Sequence, residues 1–328
     1  MFSFLKSRPI FWASVTGTTV GFAFFIKDLM QGEKFENPIR AEDKVVIVTG
    51  SNTGIGKETV RELANRGATI YMACRDMQKC EEARNEIVLE TRNKHIYCRK
   101  CDLASMDSVR KFVESFKREQ VKLDILINNA GVMRCPRSLT KDGFEMQLGV
   151  NHMGHFLLTN LLLDLLKKSV PSRIVTVSSL AHTRGEINIA DLNSDKSYDP
   201  GRAYNQSKLA NILFTRELAK RLEGTGVSAN ALHPGVVDTE LFRHMGFFNS
   251  FFAKYINLFF KPLFWPFTKS PKNGAQTTLY AALDPELVNI SGKYFSDCNL
   301  KDVAPAAMDD ALAKWLWAVS EKWTKLNN

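Results

Sequence analysis

The chain has 328 residues, a formal net charge of +9 and a pI near 9.2. Its basic residues are spread along the sequence, with no long Lys/Arg run and no interleaving of aromatic and basic residues. That pattern argues against nucleic acid as the partner and points to a negatively charged membrane surface or a phosphate-rich cofactor. Six cysteines are too few, in so long a chain, for a disulfide scaffold, and the composition carries no repeat or low-complexity tract.

The first pattern is an apolar run from Ile10 to Ile26 with no charge inside it, preceded by Lys6 and Arg8 and followed by Lys27. It stands at the short limit for a bilayer span. A retained membrane anchor, a cleaved secretory signal and a mitochondrial-type address are the competing readings. The run lacks a small-x-small cleavage site, and the anchor over residues 1–30 is the favoured reading. Residues 31–43 are polar, contain Pro38 and read as a linker.

From Lys44 the pattern changes. Val45-Val46-Ile47-Val48 reads as a strand buried on both faces. It runs into Thr49-Gly50-Ser51-Asn52-Thr53-Gly54-Ile55-Gly56-Lys57, and an amphipathic helix follows to about Arg66. A strand, a glycine-rich turn and a helix bring backbone N–H groups onto a phosphate, so residues 50–57 are the expected pyrophosphate cradle. A second strand, Thr69–Ala73, leads to Arg75, where an NAD site would offer an acid to the ribose hydroxyl; an arginine suits a 2′-phosphate, with Lys57 as a second cation. The expected cofactor is therefore NADP(H). Asp76 reads as the N-cap of a helix reaching about Glu90.

The alternation goes on with a strand near Ile96–Lys100, then Cys101-Asp102-Leu103, a helix over Ser105–Glu119, and a buried strand Leu123–Ile127 ending in Asn128-Asn129-Ala130-Gly131. Repeated strand–helix units of this spacing specify a parallel sheet covered on both faces. Cys98 and Cys101 would leave a strand on opposite faces and are read as reduced structural thiols. A long helix is expected from Phe144 to Lys168, with Asn151 inside it; a buried amide there needs partners and can open the helical ladder around a water. His152 and His155 are read as packing residues, and no metal site can be assembled around them.

A strand over Arg173–Val177 ends in Ser178-Ser179. Beyond it, Tyr204-Asn205-Gln206-Ser207-Lys208 puts a phenol and an ammonium four residues apart, on one face of a helix. A nearby ammonium favours the phenolate. Moving a tyrosine from about 10 towards about 7 needs about 4 kcal/mol of preferential stabilisation. A phenol so tuned exchanges a proton with a carbonyl or alcohol oxygen. After a strand over Val227–Leu232 comes His233-Pro234-Gly235-Val236-Val237-Asp238-Thr239. Gly246 to Phe267 then holds eight phenylalanines, with Pro262 and Pro266 breaking any span, and is read as an apolar lid around 240–270 that touches the membrane interface. A helix over Lys272–Leu283, a strand near Lys293–Phe295 and a helix over Asp309–Ala318 complete the chain.

Taken together, Thr49-Gly50-x-x-x-Gly54-Ile55-Gly56, Asn128-Asn129-Ala130-Gly131, Asn151, Ser179, Tyr204-x-x-x-Lys208 and Pro234-Gly235 resemble the short-chain dehydrogenase/reductase family from Lys44 to about Phe295, within an expected domain over 44–328. Ala73-Cys74-Arg75-Asp76, Asn151-His152-Met153-Gly154-His155-Phe156 and Ser207-Lys208-Leu209-Ala210 resemble its membrane-bound retinol dehydrogenase branch. The resemblance implies a single Rossmann-type α/β domain with a doubly wound, mostly parallel seven-stranded sheet, behind an N-terminal anchor helix. It implies reduction of all-trans-retinal, or a similar lipophilic aldehyde or ketone, at a mitochondrial or endoplasmic-reticulum membrane, with a homodimer common among relatives. A sterol, fatty-acyl or xenobiotic carbonyl reductase, and a non-catalytic NADP-binding scaffold, are the alternatives. By resemblance Tyr204 is the proton donor, Lys208 holds the nicotinamide ribose and biases Tyr204, and Ser179 (rather than Ser178) binds the substrate oxygen. Asn151 holds a relay water. Asp102 and Leu103 meet the adenine, Asn129, Ala130 and Gly131 the ribose side, and Pro234, Gly235, Val237 and Thr239 the nicotinamide.

Overall fold

The computed structural model describes residues 21–239, 241 and 265–326. Helix α1 covers residues 21–30 of the described chain. Strand β1 (Val45–Thr49), helix α2 (Gly54–Asn65), β2 (Thr69–Cys74), α3 (Met77–Thr91), β3 (Ile96–Lys100), α4 (Met106–Glu119) and β4 (Ile125–Asn128) alternate as the apolar pattern requires. Then come a turn of helix at Met146–Leu148, a π-helical stretch Gly149–Met153 and α5 (Gly154–Lys168). β5 (Ser172–Val177), a 3-10 turn Leu180–Arg184, α6 (Pro200–Arg221) and β6 (Val227–His233) follow. The chain ends with short helical turns at Trp265–Phe267 and Pro271–Gly274, α7 (Gln276–Leu283), β7 (Tyr294–Ser296), β8 (Asn299–Leu300) and α8 (Asp310–Thr324).

The strands form one sheet in the order β3-β2-β1-β4-β5-β6-β7-β8, parallel throughout except for the antiparallel β7–β8 pair. The eighth strand corrects the expected count of seven. It is two exposed residues long, paired through Phe295 and Leu300, and so short a piece carries no periodic signal. Along β1 the side chains divide by the period of two. Val45 and Ile47 enter a core with Phe112, Phe116, Phe156, Leu213 and Trp317, under α4, α5, α6 and α8. Val46 and Val48 enter a second core with Leu63, Ile87, Leu279 and Phe295, under α2, α3 and α7. Each such side chain, fully buried, contributes about 1.5–3 kcal/mol. Strand order reverses between β1 and β4, where a crevice opens at the carboxyl ends of the strands.

Four other expectations change. The helix foreseen from Phe144 begins at Met146 and passes through the π stretch. Residues 31–43 are no free linker: Phe35 is buried beneath the Arg66 guanidinium, 5.2 Å from its ring centroid, and Arg66 donates to Asn37 O and Ile39 O. Cys98 is not a free thiol. It leaves β3 towards the core beneath α3 and is bonded to Cys80 of that helix, while Cys101 faces the other core, as the strand period requires. α8 runs past Ala318 to Thr324 because Trp317, Ser320 and Thr324 all stay buried against the domain. Of the expected anchor only residues 21–30 are described, and among the described residues no helix is long and apolar enough to cross a membrane. The aromatic stretch read as a lid lies outside the described residues between 242 and 264.

α8 seals the outer face of α5 and α6. The Trp317 ring meets Phe156 edge-on at 4.9 Å, lies against Phe214 at 5.8 Å and carries the Arg221 guanidinium at 4.2 Å. Its indole nitrogen has no hydrogen-bond partner. Trp317→Ala is therefore expected to cost about 3–5 kcal/mol of stability, and Trp317→Phe much less, because no polar bond is lost. Urea unfolding midpoints compare the two.

Candidate active site

The end of β1 starts the site. Gly50 has φ +61°, and a Cβ there would sit 2.8 Å from Ala130 Cβ; Gly54 has φ +56°. A Cβ on Gly56 would fall 2.6 Å from Gly50 O, so α2 can lie under the turn only with glycine at that position. Thr53, the N-cap of α2, makes no side-chain cap bond. The first N–H groups of that helix thus remain available to an anion, and the helix dipole favours one there. The crevice above them is a cavity of about 250 Å³. Its walls include Gly50, Asn52, Thr53, Gly54, Ile55 and Gly56 on one side, and Arg75, Asp102, Leu103, Asn129, Ala130, Gly131 and Thr239 on the others. A larger cavity of about 560 Å³ lies at the far end of α6, beside Arg216, Lys220 and Ser228. It touches none of the turn's glycines, which all line the smaller one.

Not every expected residue faces the crevice. Ser51 is fully buried, its hydroxyl donating to Val48 O at 3.0 Å. Lys57 is drawn away to Glu86, 2.6 Å from its carboxylate. In its place Lys79, at the start of α3, lines the crevice beside Arg75. The Asp76 carboxylate between them is taken up as the N-cap of α3, accepting from Lys79 N at 3.1 Å. Lys79 was legible only as a cation in the first turn of a helix. The Asn129 amide is spent on Thr49 O and Gly50 O, at 2.9 and 3.2 Å, so it braces the glycine turn. Pro234, Gly235 and Val237 lie outside that cavity wall. Gly235 has φ +87°, and Val237 is buried and bridged to Lys269.

α6 begins at Asp199, whose carboxylate accepts from Arg202 N, followed by Pro200 at a first-turn position. It buries Tyr204 and Lys208 on one face. Lys208 Nζ stands 5.8 Å from the centroid of the Tyr204 ring and donates to Val177 O, at the end of β5, at 3.0 Å. A Cβ on Gly131, which lines the crevice, would lie 3.6 Å from Nζ and 3.3 Å from Asn151 Oδ1, so both stand behind that part of the wall; Asn151, Ser179, Tyr204 and Lys208 do not themselves line the cavity. The two serines separate cleanly. Ser178 is buried and donates to Lys208 O at 2.7 Å, a bond that holds helix to strand. Ser179 is half-buried, and its hydroxyl oxygen accepts from Ala181 N.

The Asn151 amide makes three hydrogen bonds, which use both Nδ2 protons and one lone pair of Oδ1. Oδ1 accepts from Val132 N at 2.8 Å, and Nδ2 donates to Val132 O and Ser207 Oγ, both at 2.9 Å. Its side chain therefore clamps the loop after β4 onto α6. His155, one turn along, bonds Asn151 O through Nδ1 and the Thr49 hydroxyl through Nε2. His152 Nε2 pairs with the Ser320 hydroxyl at 2.8 Å. Burial pushes His152 down to about 3 and His155 to about 4, so both are neutral packing groups.

One electrostatic expectation is reversed. The lysine was expected to pull the tyrosine's pKa down. Burial instead raises Tyr204 above the usual phenol value, and the Ser179 hydroxyl pulls it partly back. Burial also lowers Lys208 to about 8. Each group has left water, so each resists its charged form, and the ammonium is bonded to a backbone carbonyl rather than to the phenol. Tyr204 is thus a neutral donor, and Lys208 is the first of the pair to titrate as pH rises. If Tyr204 gives the proton while Lys208 must be charged, kcat/KM for carbonyl reduction holds below pH of about 8 and falls above it in a single ionisation. A pH–rate profile breaking in the ordinary histidine range instead would place the controlling group elsewhere. On the same geometry Ser179→Ala is expected to cut kcat about 10²-fold with little loss of stability, whereas Ser178→Ala mainly destabilises; turnover and thermal midpoint of the purified variants separate the two roles.

Comparison with known proteins bears on the family and the fold. The short chain dehydrogenase family model matches residues 44–246. Human retinol dehydrogenase 13 is 52% identical over 317 residues, which covers 96% of this chain and 95% of that protein. Human retinol dehydrogenase 12 is 53% identical over 90% of each. Among solved structures, an uncharacterized protein from Mycobacterium paratuberculosis superposes with a TM-score of 0.71 at 37% identity, covering 90% of this chain and 98% of that one. A short-chain dehydrogenase/reductase of unknown function from Caenorhabditis elegans, solved with cofactor, gives 0.60 at 26% identity, covering 76% and 92%.

Proposed function

The chain belongs to the short-chain dehydrogenase family, and from that premise we propose that it is an NADPH-dependent oxidoreductase that reduces all-trans-retinal or a similar lipophilic carbonyl. The observation that carries the reading is the placement of Tyr204 and Lys208, buried together on α6, with Nζ against Gly131 at the crevice wall. The retinoid substrate rests on the relatives, each named a retinol dehydrogenase.

The crevice fits a dinucleotide phosphate. Uncapped N–H groups at the start of α2, under a turn whose glycines leave room for close approach, suit the pyrophosphate. Arg75 and Lys79 would hold a 2′-phosphate; Asp76 lines the crevice beside them, with one carboxylate oxygen engaged as the N-cap of α3. When bound, NADPH supplies the hydride to the carbonyl carbon. The protein's own part is proton and charge management. Tyr204 O–H donates to the carbonyl oxygen and transfers its proton as negative charge develops there. Ser179 Oγ–H supplies the second donor to the same oxygen. The Lys208 ammonium, held by Val177 O, stabilises the phenolate left behind. Asn151 keeps the Val132 backbone and Ser207 in register, so Lys208 does not swing out of the wall. Reversal of the same transfers oxidises the alcohol.

The exposed apolar stripe of α1, Phe22, Phe25 and Leu29, supports residence at a lipid surface. NADPH consumption with all-trans-retinal is the direct test. Tyr204→Phe is expected to lower kcat about 10³-fold with cofactor binding retained, and Arg75→Ala or Lys79→Ala to raise the KM for NADPH about tenfold while leaving NADH little changed. If retinal turned over no better than a short-chain aldehyde, the substrate assignment would fall. An unaffected Tyr204→Phe would remove the catalytic one.

A further inference from the structure

Helix α1 is fastened to the domain through one of its faces. Lys27 Nζ donates to Trp265 O at 3.0 Å and Thr268 O at 2.5 Å and lies 4.9 Å from the centroid of the Trp265 ring. Phe24 meets that ring edge-on at 5.1 Å. One turn further on, the Gln31 amide oxygen accepts from Ser270 N and Asn273 Nδ2, at 3.0 and 2.6 Å. At about 100° per residue, positions 24, 27 and 31 form one stripe, and positions 22, 25 and 29 form another roughly 160° round the helix. On the second stripe Phe22, Phe25 and Leu29 are 62%, 60% and 65% exposed; Phe24 of the first stripe, though it meets the Trp265 ring, is 59% exposed, so the apolar surface spreads round that flank of the helix. It is continuous in sequence with the uncharged run that begins at Ile10, and the chain is basic overall. Both facts favour a lipid surface over a protein partner.

The segment that α1 grips is joined to the crevice. Lys269 N donates to Val236 O at 2.7 Å, and Asp238 N donates to Lys269 O at 3.1 Å, making a bridge between Val237 and Lys269. One residue further, Thr239 lines the crevice, and its methyl carbon would lie 3.1 Å from a Cβ on Gly54. Burial lowers the Lys27 pKa, and attraction to Asp238 works against that shift, so the ammonium also faces this loop. Hydrogen bonds therefore run from α1 through residues 265–269 to the 236–238 backbone, and Thr239 at its end lines the crevice.

We propose that Lys27 is a positioning residue. It holds residues 265–270, and through them the 234–239 wall of the crevice, onto a helix whose opposite face rests on a lipid bilayer surface, and so fixes the site against the surface from which an apolar substrate arrives. The inference builds on the carbonyl reductase reading above. Its test uses the full chain on phosphatidylcholine vesicles containing phosphatidylserine. Lys27→Met keeps the apolar stem and removes the donors; Lys27→Arg keeps donors. In Lys27→Met, amides of 234–239 and 265–270 are expected to exchange hydrogen about tenfold faster than in the parent protein. The KM for a vesicle-borne aldehyde is expected to rise about tenfold with kcat within about twofold, and Lys27→Arg to restore both. Unchanged exchange overturns the proposal, as does a fall in kcat at constant KM. Should Lys27→Met fail to accumulate, Gln31→Leu severs the second contact and is read in the same way. The exchange measurement needs no turnover, so a parent protein that reduced no carbonyl would sink the functional reading and leave this test standing.

Discussion

The architecture turns on a lysine ammonium buried at the carboxyl edge of the sheet. Lys208 is 3% exposed, and an isolated charge in that position is costly unless the surroundings answer it. Val177 O answers directly, and Asn211 Nδ2 reaches the same carbonyl at 3.4 Å. Ser178 fixes the Lys208 backbone to β5, and Ser207, inside the same helical turn, donates to Tyr204 O while accepting from Asn151. The chemistry-bearing part of α6 is thus stapled to the end of β5 and to the loop after β4. A tyrosine on a rigid helix is aimed more narrowly than one on a loop, and the narrowness is worth having when a proton must cross a single hydrogen bond.

A second buried chain of hydrogen bonds holds the opposite wall. Asn129 N and Ala130 N donate to the Thr49 hydroxyl oxygen at 2.9 and 3.0 Å. With those two donors in place, the hydroxyl proton is free for His155 Nε2, and the Nδ1 proton goes to Asn151 O. That tautomer satisfies every member at once, and it needs a neutral ring, in keeping with the low pKa that burial imposes on His155. The same bond attends to a carbonyl inside the π stretch, where the helical ladder is altered. The glycine turn, the loop after β4 and the helix carrying Asn151 are tied into one frame on which α6 is mounted.

What the sequence disclosed was whatever local spacing determines. β1, β2, β4 and β5 follow from runs that are buried on both faces, the edge strand β3 and the polar-spaced β6 from their places in the strand–helix alternation, the glycine turn from its place between strand and helix, and the Tyr204–Lys208 pairing from a four-residue interval. What it withheld depends on partners distant in sequence. Lys57 leaves the crevice because Glu86 on α3 claims it, and Lys79 takes its place through the packing of α3 beside β2. Cys80 and Cys98 are joined because that helix covers that strand. Phe35 makes part of the core out of a stretch whose composition is polar, because Arg66 closes over it. The direction of the Tyr204 shift is hidden for a related reason: charge proximity is visible in a sequence, but the loss of water around both groups is not.

That reversal has a chemical consequence. A phenol already ionised could not protonate a carbonyl oxygen, so a strongly lowered tyrosine would favour oxidation of the alcohol and starve the reduction. Burial keeps Tyr204 protonated, and the Ser179 hydroxyl tempers the shift without abolishing it. Lys208, pulled down to about 8, remains largely charged near neutrality and is in place to meet the phenolate once the proton has gone. On the roles proposed for Tyr204 and Lys208, the site is set as an acid with its counter-charge beside it. The same burial supplies both conditions: it makes the tyrosine reluctant to ionise early, and it leaves little water to screen the ammonium when ionisation comes.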